Sequence, residues 1–260
     1  MGPIVPPLVP PYETVGDGPH HVMAVHGWFS DRSAYAAMLP HVDRRAFTYV
    51  LPDLRGYGEA RDVPGAFTTE EAGWDLLALA HHLGWDRFSL IGHSMGGAVV
   101  QRVVAAAPHR VRRLVGVAPV PASGVPMEGE QWELFAAAAE RPENRRAIID
   151  MTTGNRHPAA WLDLMVRHSL RRSDAKAFRA WLDSWALEDF HEEISGTVVP
   201  VRVVVGAHDP ALTAEVMRQT WLRWYADAEL VELPCAGHYP ADETPLELVR
   251  AVEDFIAADG

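Results

Sequence analysis

Short apolar runs, rich in β-branched residues and bounded by Gly, Pro or Asp, recur along the first half of the chain. They are His21–His26, Phe47–Leu51, Phe88–Ile91 and Arg113–Val117. A continuous apolar run of this length is typical of a strand in a parallel sheet whose two faces are both covered. The pattern therefore predicts a buried strand at each run.

Helical patterns fill the intervals between these runs. The segments are Ser33–Leu39, Thr69–Leu83 and Met95–Ala107. Thr68 and Glu71 form a capping-box pattern at the start of the second segment, and Pro108 ends the third. Strands that alternate with helices are joined as right-handed βαβ units. We therefore predict an α/β fold with a doubly wound, mostly parallel sheet.

The pattern changes after about Pro119. Between Glu130 and Glu193 the sequence predicts helices only, and the alternation then resumes. The resumed elements are strand Val201–Val205, helix Ala214–Tyr225, strand Glu229–Leu233 and helix Pro245–Ala257. A helical insertion inside a resumed sheet predicts a cap on one core. We expect the core to comprise residues 1–119 and 197–260, and the helical cap to comprise residues 120–196.

Composition limits the class of partner. The 260 residues carry a formal net charge of −12, which disfavours nucleic acid and anionic membranes because both require a basic surface. No apolar run approaches the roughly 18 residues that span a bilayer. The proline-rich start has no signal-peptide pattern and predicts an extended arm. We therefore expect a cytoplasmic protein.

The strongest chemical motif is Gly92-x-Ser94-x-Gly96, which lies directly after a predicted strand and directly before a predicted helix. A serine hydroxyl is a weak nucleophile unless it is held exposed beside a base, and a sharp strand-to-helix turn presents it there. The start of the helix at Met95 also favours developing negative charge. Ser94 is therefore the predicted nucleophile.

A base and an orienting acid follow predicted strands at the same edge of the sheet. His238 lies in the segment Cys235-Ala-Gly-His-Tyr-Pro240 after the last strand, and Asp209 follows the strand that begins at Val201. Asp209 by itself is an ordinary turn aspartate before a proline. The chain order Ser94, Asp209, His238 is the order of a catalytic triad on this type of sheet.

The chain resembles the α/β-hydrolase superfamily, in its lidded branch of serine esterases, C–C bond hydrolases and perhydrolases. The matching motifs extend over the predicted core. They are His26-Gly27-Trp28, Asp53-Leu-Arg-Gly-Tyr-Gly58, Gly92-His-Ser-Met-Gly-Gly97, Gly206-x-x-Asp209 and Gly237-His238. The resemblance implies a helical cap and an oxyanion hole formed by the backbone N–H groups of Trp28 and Met95. Relatives with dehalogenase or epoxide hydrolase chemistry place Asp at the position of Ser94, so these activities are disfavoured.

Several further residues have candidate roles. Those expected to line a substrate pocket are Phe29, His93, Trp161, Trp181, Trp185 and Tyr239. We interpret His26 as a structural hydrogen-bonding residue and Asp53 mainly as a residue that stabilises the loop in which it lies. Cys235 is the only cysteine, so the chain forms no intramolecular disulfide, and we expect its side chain to be small and buried.

We therefore expect a serine hydrolase that cleaves a carboxylic ester or lactone of a small, apolar substrate through an acyl-enzyme. The same constellation serves C–C bond hydrolysis and perhydrolysis, and some small-molecule receptors on this fold retain it without turnover. No metal or other cofactor is implied. The sequence leaves the natural substrate open, as well as the choice between monomer and homodimer.

Overall fold

The computed structural model describes residues 6–258, which form one seven-stranded sheet with helices around it. The strands are β1 Tyr12–Val15, β2 His20–Val25, β3 Phe47–Pro52, β4 Phe88–His93, β5 Val111–Val117, β6 Val201–Gly206 and β7 Ala228–Leu233. Their order is β1-β3-β2-β4-β5-β6-β7. Strand β1 is antiparallel to β3, and the other neighbours are parallel. The predicted mostly parallel α/β sheet is confirmed.

Edge strand β1 was not among the predicted strands. Its sequence, Tyr-Glu-Thr-Val, has no buried residue, so it lacks the apolar signal of the interior strands. The predicted N-terminal arm lies partly outside the described residues. Within them, the Leu8 N–H donates to Asp75 Oδ1 on the first long helix, at 2.8 Å.

The helices follow the predicted order, with two corrections given below. They are α1 Thr69–His82, α2 Met95–Ala106, α3 Gly129–Ala136, α4 Pro142–Thr152, α5 Ala159–Arg172, α6 Ala175–Leu187, α7 His191–Ile194, α8 Ala214–Gln219, α9 Trp221–Trp224, α10 Pro240–Glu243 and α11 Pro245–Ile256. The Thr68 hydroxyl caps α1 by accepting from Glu71 N–H at 3.1 Å.

Two predicted helices were wrong in form. The segment Ser33–Leu39 contains the end of a 3-10 turn at Arg32–Tyr35 and the start of another at Leu39–His41. The predicted helix Ala214–Tyr225 is two short helices that are interrupted at Thr220. The Thr220 hydroxyl donates to Val216 O at 2.7 Å, the local side-chain bond by which Thr competes with helix propagation.

Alternating residues of the central strands enter two separate hydrophobic clusters. Met23 and Val25 of β2 face the cluster that includes α1, α2 and the helices inserted after β5. Val22 and Ala24 face the cluster that includes α11. Side chains of a strand point alternately to its two faces, so helices on both sides bury the central strands of the sheet.

Helices α3 to α7 lie between β5 and β6 in the chain, within the range predicted for the cap. The division into a core and a cap at residues 120 and 196 stays a prediction.

The order of the strands reverses direction at β2. This strand pairs with both β3 and β4, so the chain winds outward on both sides of it. Ligands of open α/β sheets bind at the carboxyl ends of strands beside such a reversal.

Candidate active site

Ser94 occupies a backbone conformation that L-residues rarely adopt, with φ 53° and ψ −121°. It lies at the junction of β4 and α2, where its N–H donates to Val117 O at 3.0 Å. Glycine is required on both sides. A Cβ at Gly92 would lie 2.4 Å from Gly96 O, and one at Gly96 would lie 2.5 Å from Val25 O. This close packing holds the turn in its unfavourable conformation.

The three predicted triad residues meet at the carboxyl edge of the sheet. His238 Nε2 lies 2.9 Å from Ser94 Oγ, and His238 Nδ1 lies 2.6 Å from Asp209 Oδ2. Asp209 and His238 are buried, whereas Ser94 is half-buried. The hydroxyl is therefore hydrogen-bonded to a base, and that base is hydrogen-bonded to a buried acid.

The environment of Asp209 favours its carboxylate form. Burial by itself raises the pKa of a carboxyl group, but His238 and the N–H groups of Ala211 and Leu212 outweigh it, so the pKa of Asp209 is lowered. These two N–H groups donate to Asp209 Oδ1 at 2.9 and 3.2 Å. Asp209 Oδ2 is left to accept from His238, which fixes the tautomer and the orientation of the imidazole.

The predicted oxyanion residues flank Ser94. Met95 is the first residue of α2, where the N–H has no acceptor within the helix. Trp28 follows β2, and its side chain is fixed by a helix of the insertion: its Nε1–H donates to Phe178 O at 2.8 Å, and its ring stacks on that of Phe178 at 4.0 Å. The assignment of these two N–H groups to an oxyanion hole stays a prediction.

A small apolar cavity of about 60 Å³ opens beside Ser94 and His238. We call it the acyl cavity. The residues that line it with the triad pair are Trp28, Phe29, Val120, Val125, Met127, Gln131, Phe135, Ile148, Met151, Thr152, Trp185, Ala211, Leu212 and Tyr239. Most of these were missed from the sequence, although the apolar faces of α3 and α4 were a usable signal. None of these described lining residues is Asp, Glu, Lys or Arg.

Three of the predicted pocket residues, Phe29, Trp185 and Tyr239, line the acyl cavity. His93 instead lines a neighbouring cavity of about 180 Å³, which it shares with Tyr239. Trp161 lines neither cavity and packs against Tyr239, with ring centroids 5.9 Å apart.

Trp181, which was predicted to line the pocket, does not line the acyl cavity either. It is almost fully buried, and its Nε1–H donates to Arg55 O in the loop after β3, at 2.9 Å. It therefore joins α6 to the sheet instead of lining the acyl cavity. Its pocket role is corrected to that of a packing residue.

The loops around the triad are built by other polar residues. His26 Nε2 accepts from Leu54 N–H at 3.1 Å, so its proton lies on Nδ1, which donates to Gly27 O at 2.9 Å. Asp53 is fully buried and accepts from the N–H groups of Arg32 and Glu59 at 2.9 and 2.8 Å. Both side chains thus hold loops together. Cys235 is exposed, contrary to the expectation that it is buried.

Within residues 6–258, no group of three or more His, Cys, Asp or Glu side chains is placed to hold a metal ion. Among the helices of the same residues, none combines the length and the apolar character needed to cross a bilayer.

The profile of the alpha/beta hydrolase fold matches residues 20–245, and the chain belongs to this family of enzymes. The pimeloyl-acyl-carrier protein methyl ester esterase of Nitrosomonas europaea is 29% identical over 259 residues, which cover 93% of this chain and 97% of the relative. The 3-oxoadipate enol-lactonase 2 of Acinetobacter baylyi is 24% identical over 207 residues, which cover 77% and 75% of the two chains. A solved structure of a thermophilic esterase from Thermogutta terrifontis superposes with a TM-score of 0.81 at 26% identity, covering 95% of this chain and 92% of that one.

Proposed function

We propose that the protein is a serine esterase that hydrolyses a small carboxylic ester through an acyl-enzyme. The observation that carries this proposal is the continuous chain of hydrogen bonds from Asp209 through His238 to Ser94, with distances of 2.6 and 2.9 Å. The similarity to a methyl ester esterase over nearly the whole of both chains supports the same class of bond.

In this mechanism His238 Nε2 accepts the proton of Ser94 as Oγ attacks the ester carbonyl carbon. The carbonyl oxygen becomes an oxyanion, which accepts from the N–H groups of Trp28 and Met95. His238 then donates its proton to the alcohol leaving group, and the acyl group stays bonded to Ser94. A water that is deprotonated by His238 attacks the carbonyl carbon of the acyl-enzyme. The bond to Ser94 Oγ then breaks, His238 returns the proton to Oγ, and the acid is released. Asp209 stabilises the imidazolium at both steps.

The acyl cavity sets the proposed substrate class. Its volume of about 60 Å³ is far below the roughly 300 to 1,000 Å³ of a typical drug-sized ligand site. Its aromatic and aliphatic walls offer no charged partner for a carboxylate or an amine on the acyl chain. A short, uncharged acyl group fits best. A lactone presents the same acyl bond, and the similarity to an enol-lactonase favours it as the second candidate.

The test is reaction with a fluorophosphonate probe, together with hydrolysis of p-nitrophenyl acetate. We expect the probe to label Ser94 and Ser94→Ala to lose both labelling and hydrolysis by several orders of magnitude. Ser89→Ala is the matched control, because Ser89 is a buried serine in strand β4, the strand that leads to Ser94. The control is expected to retain both activities.

Hydrolysis by Ser94→Ala at the wild-type rate would exclude Ser94 as the nucleophile. Tight binding of the ester by the wild-type protein without turnover would instead favour a receptor. Both outcomes contradict the proposal.

A further inference from the structure

The carboxylate of Glu243 lies behind the loop that carries His238. Its two oxygens accept from the N–H groups on either side of that residue: Oε2 from Gly237 and Oε1 from Tyr239, both at 2.9 Å. Glu243 ends the single turn α10, which follows this loop directly and brings the carboxylate back beneath it. One carboxylate therefore binds the backbone on both sides of His238.

The remaining backbone groups of His238 are held as well. Its N–H donates to Thr152 O at the end of α4, at 3.1 Å, and its carbonyl accepts from His93 Nε2 at 2.7 Å. With the two bonds to Glu243, the peptide units around His238 have partners from three separate elements. Such a loop has few ways to move without breaking a buried hydrogen bond.

The side chain of Glu243 is only 2% exposed, so its charge needs strong compensation. Besides the two N–H groups, Oε2 lies 2.9 Å from His157 Nε2 and 3.4 Å from Arg156 Nη1. Both residues belong to the turn between α4 and α5. The compensating groups therefore join the histidine loop to the inserted helices, and the carboxylate is the common acceptor.

We propose that Glu243 is a positioning residue, which fixes the imidazole of His238 between Ser94 and Asp209 through the backbone on both sides of the histidine. This inference rests on the proposed serine mechanism. Glu243 touches neither Ser94 nor the acyl cavity, so it contributes by holding geometry. A displacement of about 1 Å in a catalytic group is enough to lower a rate by roughly 100-fold.

The test is Glu243→Gln, which preserves the shape of the side chain but replaces one accepting oxygen with a donating NH2 group. One of the two N–H groups then loses its acceptor, and the loop must shift. We expect kcat for p-nitrophenyl acetate to fall roughly 10- to 100-fold while KM changes less than about threefold. The low-field proton NMR signal of the Asp209–His238 hydrogen bond is expected to broaden or shift.

The matched control is Glu253→Gln. Glu253 is half-buried and, like Glu243, accepts from a backbone N–H, that of Asp43 at 3.0 Å, and also from the Tyr49 hydroxyl at 2.9 Å. It lies on α11 and contacts no residue of the triad. This variant removes the same charge, and we expect kcat and the low-field signal of the wild-type protein. Should Glu243→Gln fail to fold, Glu243→Asp takes its place, and a loss of kcat is again expected because the shorter carboxylate reaches one of the two N–H groups only.

A folded Glu243→Gln variant with kcat within twofold of wild type would overturn the positioning role, as would an equal loss of kcat in Glu253→Gln. An effect confined to KM would overturn it too. Ser94→Ala is assayed in parallel. Activity in Ser94→Ala would remove the proposed function itself, whereas an inactive Ser94→Ala beside an unaffected Glu243→Gln removes only the role of Glu243.

Discussion

Burial decides the charge of the histidine next to Ser94. His93 is buried, and burial, reinforced by the neighbouring His238, lowers the pKa of His93 to about 3. Its Nε2–H donates to His238 O at 2.7 Å, so the neutral ring acts as a hydrogen-bond donor to the loop of His238. A neutral His93 also adds no positive charge beside His238, which must become an imidazolium in the proposed mechanism.

The low pKa of His93 predicts a loss of stability in acid. The unfolded chain takes up a proton on His93 near pH 6.5, whereas the folded protein does so only near pH 3, so the unfolded state binds more protons between these values. The stabilisation is complete above pH 6.5 and declines as the pH falls. Between pH 7 and pH 5 this group lowers the free energy of unfolding by about 2 kcal/mol.

Urea unfolding at both pH values checks this prediction. His93→Gln keeps a hydrogen-bond donor but does not titrate. Between pH 7 and pH 5 we therefore expect its free energy of unfolding to fall by about 2 kcal/mol less than that of the wild-type protein. His109→Gln is the control, because His109 is exposed. The prediction fails if all three proteins lose the same free energy.

At the scale of elements, helix α6 is fastened to the loops of the sheet by two indole groups. Trp28 donates to Phe178 O, and Trp181 donates to Arg55 O, at 2.8 and 2.9 Å. Both bonds cross between the insertion and the sheet, but only Trp28 lies in the turn assigned to the oxyanion hole. Helix α6 therefore holds this turn in place through the side chain of Trp28.

Substitution of these two tryptophans separates bracing of the turn from general attachment of α6. Trp28→Phe removes the indole N–H and leaves an aromatic ring. We expect kcat to fall by roughly tenfold, because the backbone N–H of residue 28, which we propose as a donor to the oxyanion, loses its alignment. Trp181→Phe removes an equivalent bond, and we expect it to lower the free energy of unfolding by about 1 kcal/mol with kcat unchanged. Steady-state kinetics and urea unfolding of both variants measure the difference. Equal values of kcat would contradict the role of the Trp28 turn.

At the scale of the whole molecule, the acyl cavity is enclosed from two sides. The loops of the sheet supply Phe29, Leu212 and Tyr239, and the inserted helices supply Phe135 and Trp185. Neither part forms the cavity alone. Its small volume therefore depends on how closely the inserted helices approach the carboxyl edge of the sheet.

Enlarging this cavity is expected to change the preferred acyl chain length. Phe135→Val shortens one wall, and each additional buried methylene then contributes about 0.8 kcal/mol, so two methylenes correspond to roughly tenfold. We expect the ratio of kcat/KM for p-nitrophenyl butanoate over acetate to rise by about that factor. Phe190→Val is the matched control: Phe190 is a buried phenylalanine of the insertion that does not line the cavity. An unchanged ratio in Phe135→Val would place the acyl group elsewhere.

Much of the fold was predictable because its signals are local. Apolar runs marked the parallel strands, and a glycine motif between a strand and a helix marked the turn of Ser94. Strand β1, with its half-exposed edge residues, had no such signal. The division of Ala214–Tyr225 into two helices lies at Thr220, whose backbone is non-helical although the helical pattern of the sequence continues through it.

The sequence by itself determined the class of the sheet and the chain order of Ser94, Asp209 and His238, because each follows a strand that its own residues specify. Only the tertiary structure decided which buried residues face the acyl cavity. Trp181 and Trp185 lie one turn apart on the same helix, yet the first binds Arg55 O and the second lines the cavity. Periodicity predicts that a side chain is buried, but its neighbours come from distant parts of the chain. The contacts of Glu243 with the His238 loop and with His157 arise in the same way.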